Sequence, residues 1–294
     1  MNIKDLVIFQ TVANEGSINK AAEQLNYVQS NVTSRIQKLE RDLDTKLFHR
    51  HKRGITLTNE GDALLPYVQK IISLTEEMKM IGSSNNNPTG KLDVASVETV
   101  IKLPLILSAY IEKYKKVELT LSTGVTAELK EKVLQYQLDG AFVTKSAITN
   151  HSDLIQIDVF HEKLVLISNN KTKSIEELIQ LPILRFSEGC GYRAKLNEWL
   201  EAKNIVPKKV MELGTLETTL GSVISGLGVA YVPYSTVKEY EKKNQIKCYS
   251  LPKKYSQITT VFIYRKSDYL TPALQKFIET IEEVKDNLEL NRDS

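Results

Sequence analysis

The stretch that decides the fold is Ser17–Asp42, SINKAAEQLNYVQSNVTSRIQKLERD, followed by the basic segment 48–58, FHRHKRGITLT. In the first stretch, apolar residues recur at helical spacing in two runs, which Asn26-Tyr27-Val28 separates. Ser17 is a favourable N-cap for the first run because its hydroxyl can accept a hydrogen bond from a free backbone amide. The pattern therefore predicts two short helices joined by a tight turn, and then a hairpin that ends at Leu57-Thr58.

An amphipathic helix is predicted before this stretch, over residues 3 to 15, because Leu6, Phe9, Val12 and Ala13 recur at helical spacing. The last of the three helices is amphipathic too. Its apolar face consists of Val32, Ile36, Leu39 and Leu43. Its opposite face carries short hydrogen-bonding side chains, namely Gln29, Ser30, Thr33, Ser34 and Gln37.

This polar face has two interpretations. A polar helix face is most often simply a solvated surface. Short hydrogen-bonding side chains near a helix N-terminus are also what a helix in the DNA major groove presents to base edges, and Gln can bond adenine through two hydrogen bonds. Arg35, Lys38 and Arg41 add positive charge nearby. The helix alone leaves both interpretations open.

The charge distribution favours a polyanionic partner. The whole chain has 39 Lys and Arg against 36 Asp and Glu, a net charge of +3. Residues 1–58 contain nine of the cations and six of the anions, so the whole excess lies in this segment and the remaining 236 residues are neutral as a group. A confined positive excess is typical of a DNA-binding region, although three charges are a modest number.

The order of these elements resembles the winged helix–turn–helix of LysR-type transcriptional regulators. The resemblance is dense over about the first 65 residues, and looser in the rest of the chain. It rests on Phe9, Ala21-Ala22, Leu25, Gln29–Thr33, Ile36, Leu39-Glu40, Leu47-Phe48, Arg50, Arg53, Leu57-Thr58 and Gly61. Two departures lie on the DNA-facing side: Val28, where many members carry Ser, and Ser34-Arg35, where many carry Arg-Gln. These departures leave the DNA sequence that would be read undetermined.

By position, the resemblance implies double-stranded DNA as a partner. Gln29, Ser30, Thr33 and Ser34 would face the major groove, with Arg35, Gln37 and Lys38 beside them. Arg50 and Arg53 would place the hairpin, or wing, on phosphates or in the adjacent minor groove. Arg suits that role because it is always charged and favours narrow, negative grooves.

The other chemistry-bearing residues predict neither a metal site nor an enzyme. His49 and His51 lack a third ligand nearby, so packing or phosphate contact in the wing is the better interpretation. No nucleophile elbow, zinc ligand set or phosphate-binding loop is recognisable, and we expect no cofactor. Cys190 and Cys248 are the only cysteines. Cys190 lies in a glycine-rich loop that we expect to be exposed, so a redox role is a minority hypothesis.

A long helix is predicted from about Thr58 to Gly82. Its wide apolar stripe would be exposed if the helix were isolated. Pairing with the same helix of a second chain is the favoured interpretation, with packing against the chain's own second domain as the alternative. The residues assigned to dimerisation are Leu64, Leu65, Val68, Ile71, Ile72 and Met78. The family resemblance also implies homodimers, often paired into tetramers as dimers of dimers.

The predicted domains are a winged helix–turn–helix at 1–58, a linker helix and hinge at 59–90, and a regulatory domain at 91–294. In the regulatory domain, strand and helix patterns alternate, which predicts an α/β fold with a largely parallel sheet. We predict strands at Leu154–Phe160 and Lys163–Ile167, and two lobes, approximately 91–161 with 265–294, and 162–264. This plan resembles the LysR effector domain, which shares it with periplasmic solute-binding proteins.

Ligands of such folds bind beyond the carboxyl ends of strands, against helix N-termini. The loops at those positions predict a site for a small-molecule effector. Glu98 and Glu217 leave the charge of that ligand open, since each could repel an anion, bind an amine or merely stabilise a helix N-terminus. The candidate residues are Ser96, Val97, Glu98, Thr99, Thr123, Gly124, Thr144, Ser187, Cys190, Tyr192, Thr215 and Glu217.

The sequence therefore predicts a ligand-responsive DNA-binding regulator. No apolar run approaches the length of a membrane span and no export signal is recognisable, so we expect a cytoplasmic protein without a membrane partner. Two other functions compete with this prediction. One is a solute-binding module whose N-terminal helices serve assembly, and the other is an α/β enzyme with a regulatory head.

Overall fold

The structure of the protein is a computed structural model that describes residues 1–51, 54–80, 87–98, 100, 102–145, 151–169, 174–267 and 269–290. These residues form two compact units. One comprises Met1–Ser83 and Gln135–Gln137, and the other comprises Ser84–Leu134 and Leu138–Ser294. None of the helices among the described residues combines the length and apolar character that crossing a bilayer requires.

The N-terminal unit has three short helices, a hairpin and a long helix. In chain order these are α1 (Ile3–Glu15), α2 (Ile18–Gln24), α3 (Gln29–Asp42), β1 (Phe48–His51), β2 (Gly54–Leu57) and α4 (Asn59–Met80). The strands pair antiparallel, with Phe48 opposite Leu57. The apolar faces predicted for α1, α2 and α3 meet in one core around Phe9, Ala21 and Ile36. The helix–turn–helix and the hairpin after it are therefore confirmed.

The turn between α1 and α2 anchors the wing. Gly16 ends α1 in the left-handed conformation, at φ 58°. Its carbonyl accepts a hydrogen bond from the amide of Ile55 in β2 at 3.1 Å. Ser17 caps α2 as predicted, since its hydroxyl accepts from the amide of Lys20. The wing is thus fixed to the rest of the unit through backbone atoms. This anchoring leaves its exposed side chains available to contact a partner.

Helix α4 begins at a cap that ties it to the wing. The hydroxyl of Thr58 donates to the carbonyl of Lys46 at 2.8 Å and accepts from the amide of Gly61 at 3.0 Å. Pro66 lies in the second turn of the helix. Because Pro66 is the eighth residue of α4, beyond the first four amides that lack a partner within the helix, its missing amide costs the hydrogen bond to the carbonyl of Asp62.

The assignment of α4 residues to dimerisation needs a correction. Val68 is fully buried in the core of its own N-terminal unit, and Leu64, Leu65 and Ile72 pack partly against that core. Of the predicted residues, only Ile71 and Met78 are exposed. Pairing with a second chain and packing against the second domain were both incomplete interpretations of the apolar stripe. The stripe has two faces, and one of these faces covers the core of the N-terminal unit itself.

The C-terminal unit alternates strands and helices around one mixed sheet. Its elements are β3 (Gly90–Ser96), α5 (Leu103–Lys113), β4 (Val117–Thr123), α6 (Thr126–Leu134), β5 (Gly140–Thr144), β6 (Leu154–Asn169), α7 (Ile175–Leu178), β7 (Ile183–Arg185), α8 (Gly191–Ala202), β8 (Val210–Glu212), α9 (Leu216–Ile224), β9 (Val229–Pro233), α10 (Tyr234–Lys242), β10 (Ile246–Ser250), α11 (Lys253–Ser256), β11 (Gln257–Arg265) and α12 (Pro272–Leu290).

The sheet order is β4-β3-β5-β11-β6-β9-β7-β8, and β10 also pairs with β6. Strands β3, β4 and β5 are parallel in one half, and β7, β8 and β9 are parallel in the other. Each half has its own core, one around Tyr110, Phe262 and Phe277 and one around Trp199 and Tyr231. These halves are the two lobes, and the α/β fold class is confirmed.

Three details of the second domain differ from the sequence prediction. The two strands predicted on either side of residue 161 are one strand, β6, which pairs with β11 over its first part and with β9 and β10 over its second. Strand β11 pairs with β5 as well, so it belongs to the first lobe rather than the second. The prediction also missed α7, α10, β10 and α11. The sequence does not reveal that β6 is continuous, because a strand can change its pairing partner without any turn residue that marks the change.

Candidate DNA-reading surface and inter-lobe cavity

The outward face of α3 is available to a partner. Gln29, Ser30, Ser34, Gln37 and Lys38 are exposed, and Thr33 is half-buried beside them. The N-cap of the helix is Val28, whose side chain forms no capping hydrogen bond and is 68% exposed. Because an N-terminus without a side-chain cap leaves backbone donors unsatisfied within the chain, this end of α3 suits an anionic partner such as a phosphate.

Arg35 has a different environment from the one that the sequence predicted. Its Nη1 lies 2.8 Å from Oδ1 of Asp5, and its Nε donates to Oδ1 of Asn31 at 3.1 Å. The carboxylate of Asp5 is fully buried, and its Oδ2 also accepts from the amide of Asn2 at 3.1 Å. The guanidinium therefore neutralises a buried charge and joins α3 to α1. This geometry gives Arg35 a part in positioning α3, and its contact with DNA stays a prediction.

Glu40 is a positioning residue that the sequence analysis missed. It is buried near the C-terminal end of α3, where its carboxylate accepts from the amide of Leu47 at 3.1 Å and from Nζ of Lys46 at 3.0 Å. These contacts fix the segment that leads into the wing. A glutamate in a basic stretch gives no signal of this role in the sequence, since it could equally lie on a solvated face.

The wing exposes Arg50 on β1, while Phe48 and Ile55 fill the core beneath it. Nε2 of His51 lies 3.1 Å from the hydroxyl of Thr56 across the hairpin, so this histidine packs within the wing. The described part of the chain contains no group of three or more His, Cys, Asp or Glu that could hold a metal ion. Arg53, the second predicted wing contact, lies outside the described residues.

A second candidate site is a cavity between the two lobes of the C-terminal unit, which we call the inter-lobe cavity. Its volume is about 60 Å³. The first lobe supplies Val97, Glu98, Gly124 and Val125, and the second supplies Phe186, Ser187, Cys190 and Gly214. The lobes approach closely around it, since a Cβ built on Gly189 would lie 3.3 Å from a methyl carbon of Val125. The cavity is thus small and bordered by direct contacts between lobes.

Five of the predicted effector residues line this cavity: Val97, Glu98, Gly124, Ser187 and Cys190. Ser96 and Thr144 are buried and satisfied within the first lobe. The Ser96 hydroxyl donates to the carbonyl of Val97, and the Thr144 amide donates to the hydroxyl of Thr126. Thr99 lies outside the described residues.

The remaining predicted residues do not line the cavity. Tyr192 is buried and packs edge-on against Phe186, with ring centroids 6.1 Å apart. Thr215 caps α9, its hydroxyl accepting from the amide of Thr218 at 3.2 Å, and Glu217 follows in the first turn. Thr123 is an exposed strand end. The sequence prediction did not include Phe186 among the cavity residues, because a buried aromatic residue at the end of a strand is usually interpreted as part of the core.

The cysteines have environments that disfavour oxidation. Cys190 is half-buried at the N-cap of α8, so the expectation of an exposed residue is wrong. Burial raises the pKa of its thiol above the ordinary value, and the backbone amides of Arg193 and Tyr192 act in the opposite direction. Burial, with the Glu241 carboxylate, raises the pKa of Cys248 to about 12. Because the thiolate is the reactive form, the raised pKa lowers the reactive fraction of both thiols at neutral pH.

Comparison with known proteins gives the family context of both sites. A family profile described as "Bacterial regulatory helix-turn-helix protein, lysR family" matches residues 3–62, and one described as "LysR substrate binding domain" matches residues 85–286. The HTH-type transcriptional regulator SoxR of Arthrobacter sp. (strain TE1826) is 54% identical over 281 residues, which cover 96% of each chain. The HTH-type transcriptional regulator CzcR of Bacillus anthracis is 49% identical over 283 residues, 96% of this chain and 98% of that one.

Solved structures share the fold at lower identity. A full-length OxyR variant from Pseudomonas aeruginosa has a TM-score of 0.73 at 20% identity, covering 96% of this chain and 94% of that one. Full-length CbnR, solved in complex with its target DNA, has a TM-score of 0.66 at 22% identity, covering 96% of this chain and 99% of that one. At this identity, these likenesses show the fold alone.

Proposed function

The chain belongs to the LysR family of bacterial transcription regulators, and from that membership we propose that a small molecule bound in the inter-lobe cavity controls how it binds a specific DNA sequence. That it is a DNA-binding transcription regulator follows from the family itself, and its relatives are named as regulators rather than as enzymes. A protein that acts on chromosomal DNA would work in the cytoplasm.

The observation that carries the DNA proposal is the outward row on α3. Gln29, Ser30 and Ser34 are exposed at the N-terminal half of a helix whose opposite face is fully buried. In the winged helix–turn–helix geometry this half of the helix enters the major groove, where Gln can distinguish adenine. Arg50 on the wing would contact the DNA backbone or the minor groove beside it. CbnR, which shares the fold, was solved in complex with its target DNA.

The effector proposal rests on the inter-lobe cavity. Both lobes line the cavity, so a ligand bound there contacts both of them. Its binding changes the difference in free energy between the open and closed arrangements of the lobes. By linkage, a ligand that binds one arrangement of the lobes more tightly shifts the population toward it. In an oligomer, such a shift would alter the spacing or angle of the DNA-binding units.

The proposed dimer rests on the exposed face of α4. Tyr67, Ile71, Leu74 and Met78 are exposed at spacings of four, three and four residues, which is the repeat of a coiled-coil seam. Beside this helix lies an apolar groove of about 370 Å³, lined in part by Ile3, Val7, Tyr27 and Ile72. A second α4 helix packed on the seam would cover this surface. The tetramer is the further assembly that the family resemblance implies.

The proposal is tested by gel shift and footprinting of the full chain on the DNA upstream of its own gene, at several salt concentrations. Gln29→Ala should weaken binding to the protected site by about 1–3 kcal/mol and leave binding to random DNA nearly unchanged. Arg50→Ala should weaken binding to both DNAs and lower the slope of log affinity against log salt by about one. Lys238→Ala, which removes an exposed charge from α10, is the control and should change neither.

Equal losses on specific and random DNA for Gln29→Ala would show that this residue does not read a base. A wild-type chain that protects no site in its upstream DNA or in a genomic fragment library would contradict sequence-specific binding.

A further inference from the structure

A further cavity lies where the chain crosses between the two lobes, and we call it the crossover cavity. Strand β6 pairs with β11 as far as Lys163 and with β9 from Leu164 onward, so β6 leaves the first lobe at this point. Strand β11 begins here at Gln257, directly after helix α11. The cavity has a volume of about 510 Å³ and is lined from β6, β11 and α11. It shares no lining residue with the inter-lobe cavity.

A buried hydroxyl without a partner borders the crossover cavity. Ser256, the last residue of α11, lines the cavity and is only 2% exposed. Its hydroxyl forms no hydrogen bond with any residue that the structure describes. The oxygen is not completely enclosed, because the completely enclosed side-chain polar atoms without a partner in the described chain are Oε1 of Gln69 and Nε of Arg185. Since buried polar groups are nearly always hydrogen-bonded, this hydroxyl indicates a polar partner from outside the chain.

Two lysines give the cavity positive charge. Lys253, the first residue of α11, is exposed and forms no hydrogen bond or ion pair with any described residue. Nζ of Lys163 donates to the hydroxyl of Ser250 at 2.8 Å, which uses one of its three donors. Neither ammonium group is paired with a carboxylate in the part of the chain that the structure describes. Both are therefore available to an anion.

The acidic residue of the lining, Glu162, is held on another side. Successive residues of a strand point to opposite faces, so Glu162 points away from the face that carries His161 and Lys163. Its Oε1 accepts a hydrogen bond from the hydroxyl of Ser235 in α10 at 2.6 Å. The lining thus carries two ammonium groups against one carboxylate, and that carboxylate is directed toward α10.

Further polar groups come from the two crossing strands. Thr259 lies opposite His161 in the pairing of β11 with β6, and its hydroxyl is 3.1 Å from Nδ1 of the imidazole. Gln257 is exposed, and its amide has no partner among the described residues. Ammonium, amide and hydroxyl groups therefore surround the cavity from three elements. A phosphate group suits such a set because its oxygens accept hydrogen bonds in tetrahedral directions, whereas the two oxygens of a carboxylate lie in one plane.

We propose that the crossover cavity binds a phosphate group, either as free phosphate or as the phosphate of a monoester. Lys163 and Lys253 pair with its charge, and Ser256 donates its hydroxyl hydrogen to a phosphate oxygen. The bound group contacts both strands that join the lobes. This inference concerns a different cavity from the proposed effector site and does not depend on that proposal.

Isothermal titration calorimetry of the full chain tests the inference, at constant pH and ionic strength because salt screens exposed charges. The probes are inorganic phosphate, glycerol 3-phosphate and acetate. At least one of the two phosphates should bind with one molecule per chain and more tightly than acetate. Tighter binding of inorganic phosphate identifies the free ion as the ligand, and tighter binding of glycerol 3-phosphate identifies a monoester.

Variants locate the bound phosphate. Lys253→Gln should weaken its binding by about 10-fold, because a charge-assisted hydrogen bond is lost. Lys254→Gln is the matched control and should keep the wild-type affinity. Lys254 does not line the cavity, and its Nζ lies over the ring of Tyr255, 5.3 Å from the centroid. Ser256→Ala should also weaken binding by about 10-fold. It should leave the unfolding temperature of the ligand-free chain unchanged, because the hydroxyl has no partner in the described chain to lose.

Phosphates that bind no better than acetate would overturn the proposal. Equal losses of affinity for Lys253→Gln and Lys254→Gln would overturn it too, since they would show a general effect of surface charge. A Ser256→Ala chain with the wild-type affinity for phosphate would remove the buried hydroxyl from the site and contradict the proposal.

Discussion

Gly191 and Thr144 meet across the cleft with no room for a further carbon atom between them. A Cβ built on Gly191 would lie 2.3 Å from Cγ2 of Thr144 and 2.6 Å from its Oγ1. Thr144 ends a strand of the first lobe, and Gly191 begins helix α8 of the second. The absence of a side chain at position 191 is therefore what allows the lobes to approach this closely around the inter-lobe cavity.

Gly191→Ala should hold the lobes apart. The added methyl group cannot be accommodated without movement, and overpacking of this kind typically costs about 1–3 kcal/mol. The variant should unfold at a lower temperature and have a larger radius of gyration by small-angle X-ray scattering. Gly221→Ala is the control, since a Cβ there meets nothing within 4 Å. Wild-type dimensions and stability for Gly191→Ala would contradict the contact.

Arg35→Ala should destabilise the N-terminal unit because it leaves the buried carboxylate of Asp5 without its cation. Breaking a buried pair costs about 3–5 kcal/mol, and the lower end applies because the Arg35 side chain is 32% exposed. Urea unfolding followed by far-ultraviolet circular dichroism measures the effect. Combining the change with Asp5→Asn should recover part of the loss. If Arg35→Ala lost DNA affinity with no loss of stability, the original assignment of Arg35 to DNA would be right.

Helix α4 should respond differently on its two faces. Leu74→Glu places a charge on the exposed seam and should convert the dimer into a monomer in sedimentation velocity, with little change in the stability of the monomer. Val68→Ala removes two buried methyl groups from the core and should lower the free energy of unfolding by about 2 kcal/mol. A wild-type chain that sediments as a monomer, or a Leu74→Glu chain that remains dimeric, would contradict the proposed seam.

The thiol environments predict a dependence of stability on alkaline pH. The pKa of Cys248 is raised from 9.0 to about 12, so the unfolded chain ionises first as the pH rises. Its contribution to stability is complete below pH 9 and is lost progressively as the pH rises toward 12. Urea midpoints between pH 8 and pH 10.5 should fall less steeply for Cys248→Ala than for the wild type.

Rapid alkylation of Cys190 by iodoacetamide in the folded chain at pH 7 would contradict its raised pKa.

Local features of the fold could be predicted because they depend on neighbouring residues. The spacing of apolar side chains gave the helices of the N-terminal unit nearly to the residue, and Ser17 marked the start of α2. The five predicted effector residues that line the cavity come from three loops that follow parallel strands, and their effector-binding role stays a prediction. The prediction was incomplete wherever the position of a residue depends on a contact with a residue far away in the sequence.

By itself, the sequence determined the order of elements in the N-terminal unit, the amphipathic faces and the confinement of positive charge to the first 58 residues, because each is a property of composition or short-range periodicity. Only the tertiary structure decided which partner each side chain meets. It placed Arg35 on Asp5, thirty residues away, buried Val68 in its own unit and brought Gly191 against Thr144. Such pairings depend on how whole elements pack, and the sequence near either residue carries no record of the other.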